Sequence, residues 1–412
     1  MALALPSVIL AAPDVETLRN QINDRNTEIK KLEQEIASYQ QELDKTAKQS
    51  NTLKNEVAQL NATLKTLNSK VALTSVKIAK TNLDLEQIKE DIGDKQSSIE
   101  QNQEIIRETM RQLRQNESDG AIEMVLTAGN LADFWRQHDR LADLGGKIVN
   151  YVTNLRSLKT DLETKHKDRT AILATLAKLK AELADQQKIV DQNKTTKSTL
   201  LAQTKNQEAN YKVLIANRQK LADDLEAELR DYESQLKFTL DPKSLPASGS
   251  GPLGWPLTDI FITQLFGKTI DSARLYASGS HSGVDFRASV GTPVFAMADG
   301  TVLGTGDTDT ACPRASFGKW VLVKYNNGLA ATFAHLSLIK ARVGETVGPN
   351  STIGYSGNTG RTTGPHLHIT VYASAAVAVA TKPSVSCRGA ILTQPLAPIN
   401  AYLDPMLYLP KT

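Results

Sequence analysis

Ile22, Ile29, Ile36, Leu43, Ser50, Val57, Leu64, Val71, Ile78, Leu85, Ile92, Ile99, Ile106 and Leu113 follow one another at a spacing of seven, and Ser50 alone is polar. A second series lies four positions earlier in the heptad, at Leu18, Leu32, Tyr39, Leu53, Leu60, Leu67 and Ile88, and is interrupted by Arg25, Lys95 and Asn102. No proline falls between Pro13 and Pro242. A hydrophobic repeat of 7 sustained over this length specifies a left-handed coiled coil. At about 1.5 Å per residue the helix is predicted to be on the order of 130 to 140 Å long.

Further along, the pattern breaks at Asn116-Glu117-Ser118-Asp119-Gly120. The segment Ala121 to Leu144 carries Met124, Leu126, Leu131, Phe134 and Trp135 around Gly129-Asn130, which predicts two short helices about a turn, closed by Gly145-Gly146. Heptad spacing then resumes at Leu155, Leu162, Leu176 and Leu183, and later at Leu214, Leu221, Leu225 and Leu236, until Asp241-Pro242. Two arms of similar length around a short insertion fold back as an antiparallel hairpin, each supplying the apolar stripe the other needs. A long parallel dimer with a kink is the alternative. Met124, Leu131, Phe134 and Trp135 at the hairpin tip exceed what a two-helix coil can bury. They read as a partner-binding patch, or else as a small local core closing the hairpin.

Leu245 to Pro252 has the composition of a linker. Past it, short runs rich in valine and aromatics alternate with glycine turns: Thr292–Ala296, Gly300–Leu303, Trp320–Tyr325, Ala331–Phe333 and His366–Tyr372. They predict an all-β domain. The expected division is an apolar N-terminus (1–13), a coiled-coil helix (14–115), a helical insertion (116–146), a returning helix (147–240), a linker (241–254) and a β domain (255–412).

At 412 residues the chain is too long for one ordinary domain. Its net charge of +3, with both signs interspersed, offers no clustered basic face for nucleic acid. The apolar run Met1–Ala12, ending in small residues, resembles the core and cleavage side of a secretory signal, without a preceding Lys or Arg. Export to the periplasm or cell surface is therefore expected. No stretch reaches the roughly 18 apolar residues that span a bilayer. Cys312 and Cys387 read as one disulfide in an exported protein, or as two free buried thiols.

Four of the six histidines fall in the last third: His281 in His281-Ser282-Gly283-Val284-Asp285, His335 in Ala334-His335-Leu336, and the pair His366-Leu367-His368. Histidines plus one carboxylate are the usual donors to a catalytic zinc, which keeps a position free for water. Period-2 alternation in a strand puts His366 and His368 on one face and Leu367, Ile369 and Val371 on the other. Both imidazoles cannot ligate alongside His281 and Asp285 if that position is to stay free. His138 and His166 sit among charged helical neighbours and read as solvated.

From about Trp255 to Tyr372 the chain closely resembles the lysostaphin-type (LytM) zinc metallopeptidases that cut peptidoglycan. The resemblance rests on His281-Ser282-Gly283-Val284-Asp285-Phe286, Gly291-Thr292-Pro293-Val294, Ala298-Asp299-Gly300-Thr301-Val302, Thr332-Phe333-Ala334-His335-Leu336-Ser337, and Gly354-Tyr355-Ser356-Gly357-Asn358-Thr359-Gly360 leading into Thr363-Gly364-Pro365-His366-Leu367-His368. It implies zinc held by His281, Asp285 and His368, with His335 and His366 beside it as the catalytic histidines, and cleavage of stem peptides or cross-links. Some relatives lack the ligands and activate amidases instead, so a non-hydrolytic activator is the second reading. The residues after Tyr372 depart from the family pattern, and a Cys312–Cys387 bridge would tie them to the loop before Trp320. The helical arms and their insertion resemble the layout of division-associated hydrolases and activators controlled by the FtsEX membrane complex. That likeness implies a membrane-complex partner bound through the insertion. A rigid helical arm could also hold a segment across the groove, which would make the protein autoinhibited.

Overall fold

The computed structural model describes residues 15–47, 52–117, 131–236, 238, 241–269, 272, 276 and 278–411. Four helices occur among them: α1 (Val15–Ala47), α2 (Leu53–Glu117), α3 (Leu131–Thr204) and α4 (Glu208–Gln235). The 74 residues of α3 run without interruption through Gly145-Gly146, so the expected closure of the insertion at those glycines is corrected. An interior glycine costs a helix only about 1 kcal/mol, and no proline stands nearby to remove a donor. Met124 and the Gly129-Asn130 turn lie outside the described residues. Leu131, Phe134 and Trp135 belong to the start of α3, and their side chains likewise lie outside the description.

The chain divides into two units, Met1–Lys31 with Leu73–Leu183, and Leu32–Ala72 with Ala184–Thr412. In the first, Ile88, Ile92 and Ile99 of α2 and Leu176 of α3 are buried. Lys95 pairs with Asp161 at 3.0 Å and Lys165 with Asp91 at 2.6 Å, so numbering falls along α3 as it rises along α2. Such half-exposed pairs contribute only tenths of a kcal/mol, and the apolar stripe does most of the work.

In the second unit, Leu53 and Leu60 of α2 pack with Leu200 of α3 and Tyr211 of α4, while Leu67 and Ile189 pack on Val290 and Tyr355 of the β region. The returning arm, expected as one helix, is divided at Lys205 and Asn206, whose φ values of 47° and 56° are left-handed and end α3. The later heptad leucines Leu214, Leu221 and Leu225 therefore belong to α4.

The strands are β1 (Ile262–Gln264), β2 (Val284–Arg287), β3 (Pro293–Phe295), β4 (Gly300–Asp307), β5 (Lys319–Tyr325), β6 (Leu329–Ile339), β7 (Thr346–Val347), β8 (Thr352–Ser356), β9 (His366–Ala373), β10 (Ala378–Pro383), β11 (Ile391–Leu396) and β12 (Tyr402–Leu403). The main sheet runs β1-β2-β9-β6-β5-β4-β7; β12 adds to β9, and β8 joins β3 to β6. Val284, Phe286, Val321, Phe333, Leu367 and Ile369 build the core on one face. On the other, Trp320, Leu322 and Tyr372 are covered by Val377, Ala397 and Ala401 of the C-terminal segment. Burial on both faces explains why β5 and β6 read as nearly continuous apolar runs rather than alternating ones.

That segment forms the β10–β11 hairpin and returns as β12, with Cys387 in the hairpin loop bonded to Cys312. Leu245 packs on the core and the Gly249 amide donates to Leu407 at 2.7 Å, so the stretch with linker composition lies against the β region.

Candidate active site

β2 and β9 are antiparallel neighbours whose register sets Asp285 directly opposite His368. Side chains directly opposite in an antiparallel pair stand side by side. His368 Nδ1 lies 2.8 Å from Asp285 Oδ1, and His281 Nε2 lies 3.1 Å from His368 Nδ1 and 3.3 Å from the same carboxylate oxygen. The three ligating atoms all fall within 4.8 Å of one another, and all three residues are buried. His281 reaches this point by a bridge between its own backbone and that of Gly267. Only glycine fits at 283: a Cβ there would meet the Ile369 carbonyl oxygen at 2.2 Å and the His368 ring at 2.8 Å.

His335 arrives by a switch of partners. β6 pairs with β9 as far as Ala334 opposite His368, then with β8 from Leu336 opposite Ser356. At the change, His335 takes a φ of 59°, a left-handed conformation that costs a non-glycine residue about 1 kcal/mol or more. Its ring centroid then lies 4.7 Å from that of His366 and 5.7 Å from that of His368.

The outer nitrogens are all engaged. His281 Nδ1 bonds the Leu265 carbonyl at 3.0 Å and His368 Nε2 the Thr370 hydroxyl at 2.8 Å. His335 Nδ1 donates to the Thr359 carbonyl at 2.8 Å, and His366 Nδ1 to the Gly364 carbonyl at 2.9 Å. Donation to a carbonyl fixes the tautomer and leaves the other ring nitrogen as a lone pair. Burial depresses His335 well below the usual imidazole range, helped by His366 and His368, and burial likewise lowers His368. Burial pushes the Asp285 carboxyl up, but the neighbouring His366, His281 and His368 outweigh it and hold the group well below the usual carboxylate range. Two imidazole nitrogens, each with its other ring nitrogen bonded, and one carboxylate suit a tetrahedral zinc that keeps a fourth position free.

A cavity of about 260 Å³ opens at His281, His335 and His368, walled on one side by the β region and on the other by α4. Leu225, at 1% exposure, packs against Cys312, Ala315 and Leu392. Arg361 pairs with Asp223 at 2.7 Å and with Glu226. Glu228 accepts from the Ser384 hydroxyl and from the Val385 and Ser386 amides at 2.9 to 3.0 Å. The residues after Tyr372 therefore border the groove and help to seat α4. Gln394 and Tyr402 line the same cavity.

Glu233 of α4 accepts from the Tyr402 hydroxyl at 2.5 Å, and burial pushes its carboxyl up to about 7, against Tyr402, the Ala397 amide and Arg230. The seated helix thus holds a proton that a freed helix releases above about pH 4.5. The contact is at full strength below that value and weakens as pH rises through about 7. Amide-exchange protection of α4, corrected for intrinsic rates, is expected to fall between pH 5.5 and 8.5, and Glu233→Gln should flatten that change.

Arg361, Tyr276, Gln394 and the acidic face of α4 were not singled out from sequence. Arg361 had a faint signal, a lone cation between Gly360 and the histidine strand. Asp223 and Glu226 had none, being ordinary charges on a charged helix. His166 is exposed on α3, and the side chain of His138 lies outside the described residues.

Residues 279–380 match Peptidase family M23. The chain is 41% identical over 88 residues to the peptidoglycan DD-endopeptidase ShyA of Vibrio cholerae, covering 21% of this chain and 19% of that one. It is 40% identical over 91 residues to the glycyl-glycine endopeptidase ALE-1 of Staphylococcus capitis, covering 22% and 24%. It thus spans about a fifth to a quarter of the length of these relatives. The catalytic domain of the antimicrobial peptidase lysostaphin from Staphylococcus simulans aligns over 36% of this chain and 92% of its own, at 26% identity and a TM-score of 0.26.

Proposed function

We propose that this protein is a zinc-dependent endopeptidase that cleaves peptidoglycan stem peptides or cross-links. The observation carrying the reading is the convergence of His281, Asp285 and His368 at bonding distance, with His335 and His366 alongside. Zinc bound there would make a water nucleophilic near neutral pH and polarise the scissile carbonyl. His335 and His366 keep their Nε2 lone pairs because Nδ1 of each donates to a main-chain carbonyl. One Nε2 takes the proton of the attacking water as its oxygen bonds the carbonyl carbon. The proton then passes to the amine nitrogen as the C–N bond breaks, leaving a free amine and a carboxylic acid that ionises to solvent.

The second reading, a non-hydrolytic amidase activator, draws on the groove being walled by α4, but it gives no role to five histidine and carboxylate side chains aligned in one place. Within the first reading, α4 acts as an autoinhibitory cover. α2 and α3 form a coiled-coil hairpin, supported by the antiparallel pairs 95–161 and 91–165. The proposed layout is a helical arm (14–115), an insertion that begins at 116 and reaches into the start of α3, a returning arm made of α3 and α4, and a peptidase (255–412). The insertion, including Met124, Leu131, Phe134 and Trp135, would engage an FtsEX-like membrane complex that lifts the cover during division. Among the described residues no helix is long and apolar enough to cross a membrane. Placement outside the cytoplasm is part of the proposal and follows from the substrate.

The test is incubation of the full chain with purified peptidoglycan, with and without a chelator, and mass spectrometry of the soluble products. Chelator-sensitive release of new amino termini is expected, slow in the native chain. Products that arise only from added amidase would instead establish the activator.

A further inference from the structure

We propose that Arg361 is a specificity residue that binds a carboxylate of the substrate peptide, and that Asp223 and Glu226 of α4 occupy it by imitating that group. The proposal rests on the peptidase reading and names the substrate class it leaves open, an acidic peptide rather than a neutral glycine bridge. Arg361 follows Gly360, whose φ of 70° turns the chain beside the cavity. Its backbone amide is tied to the Ser316 carbonyl at 2.9 Å. Its guanidinium carbon lies 5.4 Å from the centroid of the Tyr276 ring, which in turn stacks on His281 at 5.2 Å and 17°. The cation is thus one ring removed from a zinc-ligating histidine, and its side chain is only 18% exposed.

The two acidic partners are three apart on α4 and so share a face, and separate guanidinium nitrogens meet them: Nη2 takes Asp223 and Nη1 takes Glu226. A planar guanidinium is suited to this paired recognition of carboxylates. Glu226 also accepts from the Ser278 amide at 3.0 Å, so its carboxylate sits within the loop that leads to His281. An arriving peptide carboxylate competes for the same donors. A second recognition element borders the same cavity: the Gln394 side chain is 1% exposed, and its Oε1 accepts no hydrogen bond among the described residues. A buried acceptor of that kind is costly unless something donates to it, and a peptide N–H is the natural donor.

The test uses the full zinc-loaded chain and three probes: a cross-linked stem-peptide dimer with free carboxylates, the same dimer converted to carboxamides, and pentaglycine. Binding is read by fluorescence anisotropy in a His335→Ala background, which limits turnover, and cleavage is read in the native background. Arg361→Gln is expected to weaken the free-carboxylate dimer about tenfold and to leave the other two probes within about twofold, with Arg361→Lys recovering part of the loss. Asp223→Asn/Glu226→Gln is expected to tighten the free-carboxylate dimer several-fold and to lower its KM. Equal effects of Arg361→Gln on the acid and its amide, or no effect on either, overturn the proposal. Selective binding without cleavage in any background would sink the peptidase reading and leave the carboxylate site standing. Cleavage without selectivity would do the reverse.

Discussion

His368→Ala is expected to abolish stoichiometric zinc binding and to lower peptidoglycan cleavage by about a thousandfold or more. His368 is held in place from both ends: Nδ1 faces Asp285 and His281, and Nε2 bonds Thr370. Removing the ring leaves one imidazole and one carboxylate, one donor short of the three that hold a catalytic zinc. Thr370→Ala makes a graded companion, since it deletes only the brace behind the ligand, and such outer partners typically carry about 10- to 100-fold in metal affinity or activity. Zinc content by atomic emission and product release by mass spectrometry are the measurements. Full activity in His368→Ala with zinc absent would end the metallopeptidase reading.

Leu225→Glu is the second large effect, and it goes the other way. Leu225 is 1% exposed, in a small cluster with Cys312, Ala315 and Leu392. Truncating a buried leucine costs about 2–5 kcal/mol, and placing a carboxylate there adds an unpaired buried charge. Beyond the apolar contacts of Leu221 and Leu229 beside Leu225 and of Tyr211 at the start of the helix, α4 is seated by carboxylates, chiefly Asp223, Glu226, Glu228 and Glu233. Loss of Leu225 should therefore unseat α4 and raise cleavage by the full chain at least about tenfold. Parallel circular dichroism should show the β region still folded, because its main core of Val284, Phe286, Phe333, Leu367 and Ile369 does not include α4. Unchanged cleavage with α4 demonstrably released would show that the cover does not limit access.

The candidate site was unusually legible because its chemistry is carried by rare residue types at short spacings. His281 and Asp285 are four apart, His366 and His368 two apart, and period-2 geometry already puts the latter pair on one face of a strand. The strand runs were legible too, since valine and aromatic segments between glycines favour little else. The division at Lys205-Asn206 was not, because two left-handed residues inside a charged helical sequence leave no compositional mark. Continuity through Gly145-Gly146 was missed for the opposite reason. Those glycines look like punctuation, yet their cost is small beside the helix that flanks them.

By itself the sequence determined the helical character of the N-terminal half, the β character of the rest and the identity of the candidate metal donors. These follow from local periodicity and from the coordination chemistry of single side chains, which no distant contact can rewrite. Only the tertiary structure decided which nitrogen of each histidine is left for chemistry, because the Leu265, Thr359 and Gly364 carbonyls and the Thr370 hydroxyl that hold the other nitrogen are placed by folding. It also decided that β6 changes partner at His335, and that Asp223 and Glu226, more than 130 residues upstream, lie on Arg361. Surface charges on a helix carry no record in sequence of what they will face. That depends on the burial of Leu225 and its neighbours, a property of the whole packed unit.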